Sequence, residues 1–152
     1  MELKRQKYYY RRQMGGRGHF GGVELELIRS EGELGIVDSC RWSEHQTHGD
    51  PNDNRYLIGL KNYSLTTAEF ILRYCPLPKG HALVLWDIFT FTVDTSPYDV
   101  AMATIIGILD LLGKSLDQSQ LSQIDEFVKA NKGAHFPELN ELIFSLIGQD
   151  HI

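Results

Sequence analysis

The clearest pattern along the chain is a two-residue alternation that begins after Gly22. Val23, Leu25 and Leu27 alternate with Glu24 and Glu26, the signature of a strand with one face buried and one wet. Ahead of it, Lys4 to Gln13 carries three consecutive tyrosines between polar flanks and stops at Gly15-Gly16, which predicts a first strand. After it, "SEGELG" supplies a turn and Leu34 to Ser39 a short third strand. Three strands with short connections predict successive antiparallel hairpins.

Arg41 to Arg55, "RWSEHQTHGDPNDNR", is polar and turn-rich and predicts an exposed loop. A helix follows to Tyr74, with Leu60, Tyr63, Ala68, Ile71 and Tyr74 as inward positions and Pro76 as its stop. "ALVLWDIFTFTV" is β-branched and aromatic and predicts a central strand. "TSPYDVAMATIIGILDLLGKSL" predicts a second helix, capped by Ser96 or Thr95, with Pro97 in its first turn and Gly113 near its end. Its apolar residues lie on nearly every side, so it should be largely buried. Two more helices are expected at about Ser119 to Asn131 and Pro137 to Ile147. The order β-β-β-α-β-α with a C-terminal helical extension predicts an α+β sandwich with its helices on one sheet face. Residues 1–116 would form the main domain, and 117–152 a two-helix extension packed on it.

Composition narrows the class. The 152 residues are 42% hydrophobic, a globular proportion, and no apolar run reaches the roughly 18 residues of a membrane span. "MELKRQKYYY" has no apolar segment behind its charges, so it does not read as a secretory signal. Cys40 and Cys75 read as reduced thiols, and the expected location is cytoplasmic.

Charge is unevenly placed. Residues 1–22 hold Lys4, Arg5, Lys7, Arg11, Arg12 and Arg17 against Glu2 alone, a net +5 in a chain of net −5, leaving −10 on residues 23–152. A basic end on an acidic body fits a localised contact with a polyanion. It equally fits a basic edge strand protected against pairing with other sheets.

Within that basic end lies "RRQMGGRGHFGG" (residues 11–22). Glycines there permit a turn whose bare N–H groups can cradle an anion, and Arg17 adds a donor fork suited to phosphate. The plain alternative is a glycine-rich hairpin turn with a surface arginine. Neither a phosphate-binding GxxxxGK[ST] loop nor a dinucleotide fingerprint matches, because a strand and not a helix follows the glycines.

"RRQMGGRGHFGGVELEL" resembles the opening of domain IV of bacterial elongation factor G, through Arg12, Gln13, Gly15, Gly16, Arg17, Gly18, Phe20 and Val23. The likeness extends over about residues 5–116 through the same order of elements. Met14 stands where the family has Ser or Thr, His19 where it has Gln, and Tyr98-Asp99-Val100 replaces a longer second-loop motif. The resemblance implies a fold of ribosomal protein S5 domain 2-like type. It also implies two tip loops, Gly15 to Phe20 and Thr95 to Val100, and a non-enzymatic role at RNA. The partners so implied are ribosomal, messenger or transfer RNA. Arg12 and Arg17 would meet phosphates, the amides of Gly15, Gly16 and Gly18 an anion, and His19, Phe20 or Tyr98 the bases, with Gln13 in the same RNA-binding set. The second expectation is a module that binds another protein through the same fold, and the third a small-molecule enzyme using His45, Asp87 or Cys75. Cys40, His45, His48, Asp50 and Asp53 lack zinc-finger spacing. No metal, cofactor or membrane partner is therefore expected. Trp42 and Trp86 are expected in the core or on a sheet face.

Overall fold

The computed structural model describes residues 5–14, 17–32, 35–43, 50–91, 95–114, 116–130, 141 and 145, with backbone alone for 12–14, 17, 74, 125 and 127–130. Strand β1 (Arg5–Met14), β2 (Arg17–Arg29), β3 (Ile36–Asp38) and β4 (His81–Phe89) form one sheet. Helices α1 (Arg55–Tyr74), α2 (Pro97–Leu111) and α3 (Gln118–Ala130) complete the described elements. The expected last helix at 137–147 lies outside the described residues, Glu141 and Ser145 aside, and so does the Gly15-Gly16 turn.

The sheet order is β1-β2-β4-β3, with β1–β2 and β2–β4 antiparallel and β3–β4 parallel. The expected second hairpin, between β2 and β3, is therefore corrected. β4 takes the place beside β2, and β3 pairs with β4 across the crossover that contains α1. The reason lies in the strands themselves. β3 is only three residues long and partly exposed, whereas β4 is buried at seven of its nine positions. The long apolar strand takes the central place and the short one is left at the edge.

Alternation sorts β1 and β2 into two faces. Tyr8, Tyr10, Val23, Leu25 and Leu27 are buried on the side that meets α2, while Arg5, Lys7, Tyr9 and Arg11 on the other side are exposed. Helix α2 lies against β1 and β2, and α1 packs on α2. Each large aliphatic side chain sealed between these layers contributes about 1.5–3 kcal/mol, and Leu25, Leu57, Leu60, Leu85, Ile105 and Leu109 are all fully enclosed.

The helix ends are fixed by local chemistry. Ser96 caps α2 in a reciprocal box with Asp99. At the other end Gly113, at φ 73°, closes α2 as Gly113 N donates to Asp110 O and Lys114 N to Leu109 O, the left-handed stop that favours glycine. Asn54 caps α1 by accepting from Tyr56 N and Leu57 N. Asp117 and Gln120 bond reciprocally at the start of α3, whose Ile124 is buried in the core. Between α1 and α2, Ser64 and Thr104 share a buried hydrogen bond of 2.7 Å, and the inward stripe of α1 runs Leu57, Leu60, Ser64, Thr67, Ala68, Ile71.

Two glycines set how closely α2 approaches the sheet. A Cβ on Gly21 would lie 2.5–2.7 Å from the backbone of Asp99 and Val100, and one on Gly107 would lie 2.7 Å from Leu25 and Tyr8. By contrast Gly59, inside α1, has open space around it. Gly21→Ala is expected to cost about 1–3 kcal/mol through overpacking against backbone. Gly59→Ala should gain about 0.5–1 kcal/mol through helix propensity. Urea melts of the two variants, read against the parent, check these opposite signs.

Candidate nucleic-acid interface

The glycine-rich segment turns out to be mostly strand. Arg11 pairs with Phe20, Arg12 with His19, Gln13 with Gly18 and Met14 with Arg17. The expected tip loop Gly15 to Phe20 is therefore corrected to a connection at residues 15–16, because the β1–β2 ladder runs on through Arg17 and Gly18. Gly18 belongs to that ladder, so the three glycine amides do not form one open loop. Arg12, Gln13 and Arg17 stand in the ladder near its end, with their side chains outside the described atoms. Gly15 and Gly16 lie outside the described residues.

His19 and Phe20 point to opposite sides. His19 Nδ1 shares a 3.1 Å hydrogen bond with Asp99 Oδ1, on the side of α2. Asp99, 2% exposed, also accepts from Ser96 N at 2.8 Å and Ser96 Oγ at 2.9 Å. Burial pushes the Asp99 carboxyl above its ordinary 3.8, against the lowering effect of its bonds to Ser96 and His19. Burial, and then the nearby Asp99, raise the Tyr56 phenol as well. Its hydroxyl donates to Thr95 O. Ser96 Oγ donates to the carboxylate and not to the imidazole, so the group is not ordered as nucleophile, base and orienting acid. Its evident effect is to tie the hairpin to the start of α2.

The second expected loop, Thr95 to Val100, is corrected too. Pro97 to Val100 form the first turn of α2, made helical by the Ser96 cap and by Pro97. The Tyr98 ring stands edge-on to Tyr63 of α1, centroids 5.7 Å apart, and does not join His19 and Phe20.

Phe20 belongs instead to a cluster on the face opposite α2, which no helix among the described residues covers. Its ring is 5.9 Å from Tyr9 and 6.0 Å from Phe91, and Tyr9 is 5.9 Å from Phe89. Gly22 sits beneath this cluster, and a Cβ there would lie 2.8 Å from the Tyr9 ring. Cations lie on the rings: Arg11 is 5.4 Å from Tyr9 and 5.5 Å from Phe20, and Lys7 is 5.1 Å from Phe89. Each such contact is worth about 0.5–1 kcal/mol at an exposed site.

The far end of the same face is organised around Trp86. Register shifts between Glu24 and Leu25, leaving Trp86 as the extra residue of a bulge on β4. Arg5 and Arg41 lie 4.2 and 4.7 Å from the Trp86 ring centre, and Trp86 Nε1 donates to Glu26 at 3.0 Å. Arg5 Nε donates to Glu24 at 3.0 Å. Arg41 is placed by its backbone N–H, which donates to Trp86 O, and by Asp87, which accepts from Ser43 N and Ser43 Oγ. Between them Trp42 is buried with φ 54°, a strained value for a bulky residue.

Pairing the basic residues with ring neighbours was not foreseen in the sequence, although the signal was present: Lys7, Tyr9 and Arg11 share a two-residue period. Cys40 is half-buried and its thiol is pushed up to about 12, chiefly by burial, so it is protonated at neutral pH and a poor nucleophile. Among the described residues no group of three His, Cys, Asp or Glu could hold a metal; His45 and His48 lie outside them. Among the described residues, too, no helix is long and apolar enough to cross a membrane.

No family model matches the chain, and no curated protein matches it. Among solved structures, one from Thermus thermophilus is similar over 86% of this chain, with a TM-score of 0.49 and 15% identity. The chain spans 21% of that protein's length, and a likeness this distant carries no functional argument.

The Asp99 shift has a definite sign. With the folded value raised above 3.8, the stability contributed by Asp99 is fully present below pH of about 4 and is lost as pH rises through the folded value. The stability of the parent minus that of Asp99→Asn should therefore shrink between pH of about 4 and about 7. Urea midpoints at both pH values test this, and a difference that grows would reverse the assignment.

Proposed function

We propose that this protein is a non-enzymatic RNA- or ribosome-binding module, on an α+β sandwich of ribosomal protein S5 domain 2-like type related to the decoding-site domain of elongation factor G. The observation that carries this reading is the exposed sheet face, where β1 presents Arg5, Lys7 and Arg11 beside aromatic rings. Arginine forks and lysines suit phosphates, and adjacent rings suit bases. Arg12 and Arg17, in the same hairpin, add to the positive end. The element order supports the fold type, since the described strands and first two helices follow β-β-β-α-β-α. The acidic remainder of the surface would keep binding local to this face.

A second reading, a protein-interaction module, is favoured by the apolar exposure of Phe91 at 63%. Salt separates the two. A contact that neutralises about three phosphates loses on the order of 20-fold in affinity between about 50 and about 200 mM salt. Filter binding of the full chain to small ribosomal subunits and to total RNA should show this dependence. Arg11→Glu should weaken both by about 10-fold or more, since it removes one phosphate contact and adds a repulsive charge. Absence of RNA binding at the lower salt would overturn the RNA reading in favour of the protein-interaction one.

A further inference from the structure

We propose that the hairpin end of the sheet face opposite α2 is a stacking platform for single-stranded RNA, with Phe91 and Tyr9 each meeting a base and Arg11 and Lys7 meeting the intervening phosphates. This rests on the RNA-binding reading above and gives it a ligand class.

The two ends of the face differ in what they leave open. At the Trp86 end, Arg5 and Arg41 cover the indole, and Glu24 and Glu26 engage Arg5 and the indole N–H. That end therefore offers charge more than an open ring. At the hairpin end, Phe91 is 63% and Tyr9 42% exposed, and Arg11 is exposed beside Tyr9 and Phe20. Phe20 stands edge-on to Phe91 and backs it from below.

Phe91 is also held in place. Its N–H donates to Thr95 Oγ1 at 2.7 Å, and the same hydroxyl donates to Phe91 O at 3.2 Å. Thr95 is buried, and its carbonyl accepts from Tyr56. An aromatic ring fixed on a braced backbone and turned toward solvent loses little freedom on meeting a ligand.

The open rings and the charge select the occupant. Tyr9 and Phe91 each neighbour Phe20, at 5.9 and 6.0 Å, so the patch presents two separate exposed rings. Each ring can therefore meet one base of an extended strand whose bases no longer stack on each other. A duplex keeps its base faces inside and offers this platform only phosphates. Base stacking on aromatic rings tolerates sequence, so the expected preference is for single strands over duplexes and not for one sequence.

The test is fluorescence anisotropy of the full chain with labelled oligouridylate and, separately, a blunt RNA duplex of the same length. The parent should bind the single strand at least about 10-fold more tightly. Phe91→Ala should weaken single-strand binding on the order of 10-fold and leave duplex binding unchanged, while Phe91→Trp keeps it. Thermal melts accompany each variant, and Phe91 is exposed enough for the fold to survive its loss. Equal binding of strand and duplex, both indifferent to Phe91→Ala, would overturn the stacking platform and leave RNA binding standing. Binding to neither RNA would overturn both.

Discussion

The closeness of α2 to β2 is the constraint on which the rest of the molecule depends. At Gly21 the strand backbone and the first turn of the helix meet with no room for a methyl group, and at Gly107 the helix lets Leu25 and Tyr8 reach the same depth. That approach seals the inner faces of β1 and β2, brings Asp99 within reach of His19, and keeps the first two helices on one side of the sheet. Tyr8 shows the same coupling further along, where its hydroxyl donates to Asp110 at 2.9 Å. Burial and the neighbouring carboxylate push that phenol up, so it stays protonated as the donor.

Adjacent glycines serve the two sides of one strand. Gly21 faces the helix and Gly22 faces the open side, where its missing side chain makes room for the Tyr9 ring between β2 and Phe89. The same two-residue alternation that puts Val23 and Leu25 inward thus organises an aromatic surface outward. β1 is also an edge strand, so its lysine and arginines discourage further strand pairing. This role does not compete with ligand binding, because edge protection needs charge along β1 whereas the ring contacts need it above the sheet face. Arg11 does both.

Much of the architecture was legible. The alternation at Val23 to Leu27, the Ser96 cap, Pro97 and Gly113 all act as their chemistry predicts. The sheet order was not, since nothing in a three-residue strand says which neighbour it will take, and only its contest with the longer and more apolar β4 decides. The hairpin misled for a different reason. Glycines in a row are turn signals locally, but Gly21 and Gly22 answer to tertiary neighbours, Asp99 and Tyr9, that lie 78 and 13 positions away in sequence. Ser64 and Thr67 likewise hid the inward stripe of α1, because their hydroxyls are satisfied within the helix pair by Thr104 and Tyr63 O. Tyr98 belongs to a tip only by the resemblance, whereas the Ser96 cap and Pro97 already predict that it lies in the first turn of α2.

Recasting the glycine-rich segment as strand changes how the module would hold an anion. A nest of bare amides binds phosphate through fixed backbone dipoles and needs a loop open to solvent. A ladder spends the alternate amides of each strand on its neighbour, so side chains must do the binding. Arg11 suits this, because a guanidinium resting on Tyr9 and Phe20 is already partly desolvated and oriented. Moving from ring face to phosphate would exchange a weak cation–π contact for a charge-assisted one, and the ring it uncovers becomes available to a base. Phosphate capture and stacking would then reinforce each other on one patch, with recognition set by whether the strand is open.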